Sequence, residues 1–287
     1  MNVITSPSNP AVRAARQLAR PSARARMGGQ FLLEGPEGIR EALAAGHVPV
    51  TVLGTERAAA RHRGVLNAAR AAGSQVLLVA EPLLAGLAQT TTPQGLLAVL
   101  PSVTRSLDGL PAAPRLVCVL AEVRDPGNAG TVIRTADAFG ADAVATTSGS
   151  VDPQSPKAAR AAAGSLFHLP VVAGVPWPDL RAALRERHLR LVGADPHAPA
   201  TVQAAPLDEP VALILGNEAH GLPAAVRDDL DLVVRVPLAG RAESLNLAAA
   251  AAVLLYETAR RRGVPRKDEG GATAATTHRP REAAVGR

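Results

Sequence analysis

The chain has a single cysteine, Cys118, in 287 residues, and aromatic residues make up only 2% of it. One thiol excludes a disulfide within the chain, which fits a reducing compartment. Cys118 lies inside the apolar run at 116–121 and reads as a small buried side chain, not as a nucleophile. The scarcity of Phe, Tyr and Trp argues against a surface that works by stacking bases. Lysine is nearly missing as well, at Lys157 and Lys267 only, so arginine supplies the remaining positive charge. No apolar run is long enough to span a bilayer. The N-terminal arginines are followed by no apolar stretch of the kind a secretory signal needs. A cytoplasmic protein is expected.

Familiar chemical signatures are also missing. No G-x-G-x-x-G follows a strand, no G-x-x-x-x-G-K-[ST] is present, and no His/Cys cluster has zinc spacing. Gly164-Ser165 opens a stretch unlike the G-x-S-x-G nucleophile elbow. His62, His168, His188, His197 and His220 are scattered and read as ordinary surface or core histidines.

What is present is a 47% hydrophobic chain with a formal net charge of +6. The charge reads either as a sign of a polyanionic partner or as a compositional bias toward arginine. Residues 1–30 carry Arg13, Arg16, Arg20, Arg24 and Arg26 and no acidic residue, so a basic arm touching phosphates is expected there. Residues 31–103 alternate strand and helix patterns, which predicts a small, mostly parallel sheet with one Ala-rich helix over 59–72. A proline-rich linker at 104–114 follows. A second α/β unit covers 115–262, with near-continuous apolar strands that predict a parallel sheet buried on both faces. Residues 263–287 turn to Gly, Ala, Thr and Pro and read as a disordered tail.

Three segments of the second unit stand just after a strand or at a helix start, where α/β sheets place their sites. In the first, Asp125-Pro126-Gly127-Asn128-Ala129-Gly130 forms a turn, Asn128 caps the following helix, and Arg134 lies about one and a half turns in. The second is Leu215-Gly216-Asn217-Glu218-Ala219-His220-Gly221, a tight loop with an acid at its centre. The third runs from Val236-Pro237-Leu238 to Ser244-Leu245-Asn246, where Ser244 would cap the last helix and Asn246 face a pocket.

In this order the three resemble the SpoU (TrmH-type) RNA 2′-O-methyltransferases of the SPOUT superfamily. The match is Asn128-x-Gly130-x-x-x-Arg134, then Leu215-Gly216-x-Glu218-x-x-Gly221, then Ser244-Leu245-Asn246 with Leu255-Tyr256-Glu257 farther along. Residues 31–103 look like the L30e-like substrate-binding domain that often precedes such a catalytic domain. The resemblance implies an α/β fold ending in a deep trefoil knot, a homodimer, and S-adenosylmethionine as cofactor. It assigns the cofactor to Leu215, Gly216, Gly221, Val236, Leu238 and Leu245. It assigns catalysis to Asn128, Arg134, Glu218, Ser244 and Asn246. Arg134 would act as the base or as a cation on the target phosphate. The implied substrate is structured RNA, ribosomal before transfer RNA, and a non-catalytic RNA-binding relative is the alternative from another class.

Overall fold

The computed structural model describes residues 3–20 and 29–263. Arg24, Arg26 and the expected tail beyond Gly263 lie outside that range. The first unit comprises α1 (Pro10–Leu18), β1 (Gln30–Glu34), α2 (Pro36–Ala44), β2 (Thr51–Gly54), α3 (Glu56–Arg61) and α4 (Arg63–Ala71). It continues with β3 (Gln75–Leu78), α5 (Glu81–Ala85) and β4 (Leu96–Pro101).

Its sheet corrects the expectation of mostly parallel pairing. The order is β1-β4-β2-β3; β4 is antiparallel to both neighbours and only β2 and β3 are parallel. The reason lies in β4. Residues 96–100 are buried throughout, so an apolar run marks a central strand without marking its direction. The single helix expected over 59–72 is two helices, broken at His62, whose φ of −114° and ψ of 36° leave the helical region. Thr55 starts α3 by accepting the Ala58 N–H at 3.1 Å.

Residues 3–20 belong to this domain, which moves its boundary ahead of the expected residue 31. The Ile4 N–H donates to the Leu78 carbonyl at 2.8 Å, and the Ala80 N–H returns a bond to Ile4 at 2.9 Å. Helix α1 buries Val12, Ala15 and Leu18 against Leu32, Leu53, Leu97 and Val99 on one sheet face. Arg13 and Arg20 stay exposed on its outer side and Arg16 is half-buried. The arginine spacing therefore reflects an amphipathic helix.

The second unit adds β5 (Leu116–Leu120), α6 (Pro126–Ala138), β6 (Ala143–Thr147), α7 (Pro156–Ala161), β7 (Val171–Val175), α8 (Trp177–Glu186) and β8 (Arg190–Ala194). It ends with β9 (Ala200–Thr201), β10 (Val211–Leu215), α9 (Ala224–Arg227), β11 (Leu232–Arg235) and α10 (Leu247–Arg261). Its seven strands are all parallel, in the order β7-β6-β5-β10-β8-β11-β9. Strands β5, β6 and β10 are buried at every position, as a parallel sheet covered by helices requires. Alternate residues separate the faces. Leu116, Cys118, Leu120, Leu213 and Leu215 join one core cluster, and Val117, Val119, Ala212 and Ile214 join another. Burial pushes the Cys118 thiol up to about 12, which leaves it inert.

Strand β7 and the two-residue β9 had not been expected. Strand β7 is an edge strand interrupted by Gly174 at φ 70° and followed by Pro176. The linker is anchored along that edge: the Arg105 N–H donates to the Val171 carbonyl at 2.8 Å, and Gln154 accepts the Val103 N–H at 2.9 Å.

The two units share one continuous core cluster. It runs from Phe31 and Leu33 through Phe167 to Cys118 and Leu213. A polar contact crosses the junction beside it. His168 Nδ1 meets Asp137 Oδ2 of α6 at 2.8 Å, and His168 Nε2 meets Glu41 Oε2 of α2 at 3.1 Å. Its pKa is raised, first by the Asp137 bond and against some desolvation. A raised histidine stabilises the fold fully below its unfolded value and loses that contribution as pH rises through the folded one. We therefore expect the unfolding free energy of wild type relative to His168→Gln, from urea titration, to be larger at about pH 5.5 than at about pH 8.5. Equal differences at the two pH values would contradict this.

Candidate active site

The strand order reverses between β5 and β10, and the loops leaving those two strands lie side by side. Crevices of this kind hold the ligands of open α/β sheets. The Ala121 N–H donates to the Leu215 carbonyl at 2.8 Å, continuing the pairing one residue beyond β5.

The β10 loop is closed on itself. Asn217 and Gly221 exchange two backbone hydrogen bonds, at 2.8 and 2.9 Å. Gly221 has a φ of 68°, a turn that glycine adopts without strain. A side-chain carbon on Gly216 would fall 2.3 Å from the Gly221 carbonyl carbon, so position 216 is held to glycine by the loop's own backbone. The Asn217 amide donates to the Glu122 carbonyl at 2.8 Å, and its oxygen accepts the Ala219 and His220 N–H groups at 2.9 and 3.2 Å. Glu122 itself sits at φ 55°, with its N–H bound to Thr147 Oγ1 at 3.0 Å. Non-glycine residues hold that conformation only where several partners fix it.

This loop presents Glu218 to the start of α6. Its carboxylate accepts the Arg124 and Asp125 N–H groups, both at 3.2 Å, and the Asn128 amide at 3.1 Å. Burial works to raise the Glu218 pKa, but these donors and its own N–H outweigh it and hold the pKa below the ordinary value. Asn246 then donates from its amide to Asn128 Oδ1 at 3.1 Å. A chain Glu218–Asn128–Asn246 thus ties the ends of three segments together.

The capping roles differ from those expected. Helix α6 begins at Pro126, and its cap is Asp125, which accepts the Asn128 N–H at 2.8 Å and pairs with Lys157 Nζ at 3.1 Å. That N–H bond first, and then Lys157, lower the Asp125 pKa against its burial. Helix α10 begins at Leu247 and is capped by Asn246, not Ser244, through the Ala248 N–H at 2.9 Å. The α6 cap lies three residues before the expected Asn128, and the α10 cap two residues after the expected Ser244. Asp-Pro at the start of α6 was a legible signal for the cap, since proline favours the first helical position. Gly130 is not a ligand-facing turn residue either. A side-chain carbon there would lie 2.2 Å from the Ala158 carbonyl, so it lets α7 pack closely on α6.

Two expected residues stay outside the chain of hydrogen bonds. Arg134 and Ser244 are exposed and bond to no side chain among the described residues. For Arg134 the reason is helical geometry: six residues at about 100° each place it about 120° around α6 from Asn128. Leu215 is buried and Val236 packs on the core, whereas Leu238 and Leu245 are 38% and 37% exposed. Those two apolar side chains stand in the loop that leads to the Asn246 cap of α10.

Comparisons with known proteins show the family. The SpoU rRNA Methylase family model matches residues 115–256, and the MRM3-like substrate binding domain matches residues 9–98. The chain belongs to the SpoU family of RNA methyltransferases. It is 37% identical to the 23S rRNA (guanosine(2553)-2′-O)-methyltransferase RlmP of Bacillus subtilis, over 79% of this chain and 87% of the relative. It resembles the AdoMet-bound rRNA methyltransferase from Sinorhizobium meliloti with a TM-score of 0.80, at 30% identity, covering 91% and 98% of the two chains. The SpoU methyltransferase AviRb from Streptomyces viridochromogenes, in complex with the cofactor AdoMet, gives 0.81 at 30% identity, covering 90% and 100%. The substrate-binding match begins at residue 9, which agrees with the packing of α1 on the small domain. S-adenosylmethionine is thus the cofactor of this SpoU chain.

Asn246 serves two partners, and substitutions separate them. Asn246→Ala removes the helix cap and should cost about 1 kcal/mol of stability, read by urea unfolding. Asn246→Asp keeps an acceptor for Ala248 and loses the donor to Asn128. It should unfold within roughly 0.5 kcal/mol of wild type while methyl transfer falls at least about tenfold. Full activity in Asn246→Asp would show that the Asn128 contact does not matter.

Proposed function

We propose that this chain methylates a ribose 2′-hydroxyl of 23S ribosomal RNA, and that Arg134 acts there as a cation, not as a base. The observation that carries the role of Arg134 is its freedom. It is exposed and unpaired among the described residues, on a helix whose other site residue, Asn128, is bonded to Glu218 and Asn246.

Bound S-adenosylmethionine supplies an electrophilic methyl group on a positive sulfur. Gly216 and Gly221 shape the loop that meets it, and Leu215, Val236, Leu238 and Leu245 supply backbone groups and apolar walls. Glu218, Asn128 and Asn246 keep that loop, the start of α6 and the start of α10 in register. Ser244, exposed just before the α10 cap, reaches the ribose. The 2′-oxygen must be aligned with the methyl carbon, and its proton passes to the neighbouring target phosphate and from there to water. An arginine guanidinium keeps its proton at physiological pH. Arg134 therefore binds the target phosphate bidentately and stabilises the negative charge that develops on the oxygen.

The side of α6 that carries Arg134 is turned away from Asn128, which favours action on RNA held at a partner subunit. The reading includes a homodimer packed on α10, where Val253 and Tyr256 are 37% and 54% exposed. It also includes a trefoil knot formed through the segments around 215–221, 236–238 and 244–246, and a cytoplasmic location. Among the described residues no helix is long and apolar enough to cross a membrane.

The test is transfer of labelled methyl from S-adenosylmethionine to total tRNA and to ribosomal RNA, free and assembled. Label should enter ribosomal RNA at a ribose and vanish in Arg134→Ala. Arg134→Lys, a point charge without the planar fork, should fall well below wild type. Label confined to tRNA would overturn the substrate, and an active Arg134→Ala would overturn the role of the arginine.

A further inference from the structure

Arginine provides almost all the positive charge, so the decisive question is which arginines are already matched. Across the methyltransferase domain many are. Arg181 pairs with Asp229, Arg185 with Asp231 at 2.6 Å, and Arg260 with Glu257 at 2.8 Å. A cavity of about 580 Å³ at the start of β8 follows the same pattern: its Arg190 meets Glu209 at 3.4 Å. A matched arginine offers a phosphate little, because binding must first break the pair.

Helices α3 and α4 of the small domain differ. Arg57, Arg61 and Arg63 are exposed and make no hydrogen bond or ion pair among the described residues. Arg57 and Arg61 stand four residues apart on one side of α3. Arg63 and Asn67 are likewise four apart on α4 and line a groove of about 320 Å³ floored by Leu66 and Leu78. Arg70, bonded to Asn67 at 3.3 Å, continues that rim. The field is felt locally: desolvation first, then Arg61 and Arg40, lower the His62 pKa. Glu56 is the only acidic residue on the two helices.

The layer also lies on the useful side. Ala58, Val65, Leu66 and Ala69 of α3 and α4 belong to the core cluster that continues into the methyltransferase domain. Helix α1, with Arg13 and Arg16 and with Arg20 just past its end, packs on the opposite sheet face.

We propose that the α3–α4 face is where the small domain grips its RNA, with Arg57, Arg61 and Arg63 on successive backbone phosphates of a folded segment. The cluster of unmatched guanidinium groups beside a shallow groove suits a sugar–phosphate backbone, whose recognition is by charge and shape. This inference rests on the RNA methyltransferase reading above.

The experiment is binding of a 23S rRNA transcript at a series of salt concentrations. It compares wild type, Arg57→Gln/Arg61→Gln/Arg63→Gln, the same three positions as Lys, and Arg13→Gln/Arg16→Gln/Arg20→Gln. Calorimetric binding of S-adenosylmethionine and methyl transfer are measured on each, the first as a check of folding. Three lost phosphate contacts should reduce the slope of log affinity against log salt by about 2 to 3 in the Gln triple. The Lys triple, keeping the charges, should retain the wild-type slope and its fold, and the α1 triple should change the slope by less than about 1. An unchanged slope in the α3–α4 Gln triple with methyl transfer intact would overturn this face alone. Absence of RNA binding and of methyl transfer in wild type would overturn both this face and the enzymatic reading.

Discussion

The site depends on one short chain of hydrogen bonds, Glu218 to Asn128 to Asn246. Each member comes from a different segment: the loop after β10, the first turn of α6 and the cap of α10. Helix α6 also carries Arg134, and α10 closes over α6. Strand order brings the first two segments together, because β5 and β10 pair at the point where the sheet's sequence order reverses. Backbone closure does the rest. The Asn217–Gly221 loop crosses directly over Gly216, leaving no room for a side chain and little freedom for Glu218. A carboxylate with three or more donors stays ionised, so the chain keeps one arrangement over the physiological pH range.

The catalytic unit does not stand apart from the small domain. One apolar cluster passes from β1 through Phe167 into the parallel sheet, and Arg160 reaches across to the nearly buried Glu34 at 3.3 Å. His168 links α2 to α6 through Glu41 and Asp137. In the proposed function, RNA gripped by the small domain would sit at a set distance from the helix that bears Arg134. That is the physical content of combining a substrate-binding domain with a methyltransferase domain in one chain.

Much of this was legible in the sequence, and the failures have identifiable causes. The strands of the large sheet announced themselves by apolar runs buried on both faces, and Cys118 by its place inside one of them. Strand β7 escaped because Gly174 and the flanking prolines imitate a loop, while the direction of β4 is set by where it inserts, which no periodicity records. Asn128, Glu218 and Asn246 are singled out by the family resemblance, but their mutual contacts are not, since 90 and 118 residues separate the bonded pairs. Both caps were placed on the wrong polar residue because each site offers two candidates. Proline after Asp125 favours it over Asn128, whereas only the backbone geometry decides for Asn246 over Ser244. The basic residues of α1 drew attention as a run, whereas Arg57, Arg61 and Arg63 gain meaning only once the paired arginines are known.

The central claim is that the three side chains act as one unit in holding the cofactor loops. The most direct measurement is a double-substitution cycle on S-adenosylmethionine affinity by calorimetry, with Glu218→Gln and Asn246→Ala alone and combined, repeated in Asn128→Ala. A unit predicts a coupling of about 0.5–3 kcal/mol between Glu218 and Asn246, vanishing once Asn128 is removed. Effects that add within roughly 0.3–0.5 kcal/mol in both backgrounds would contradict it.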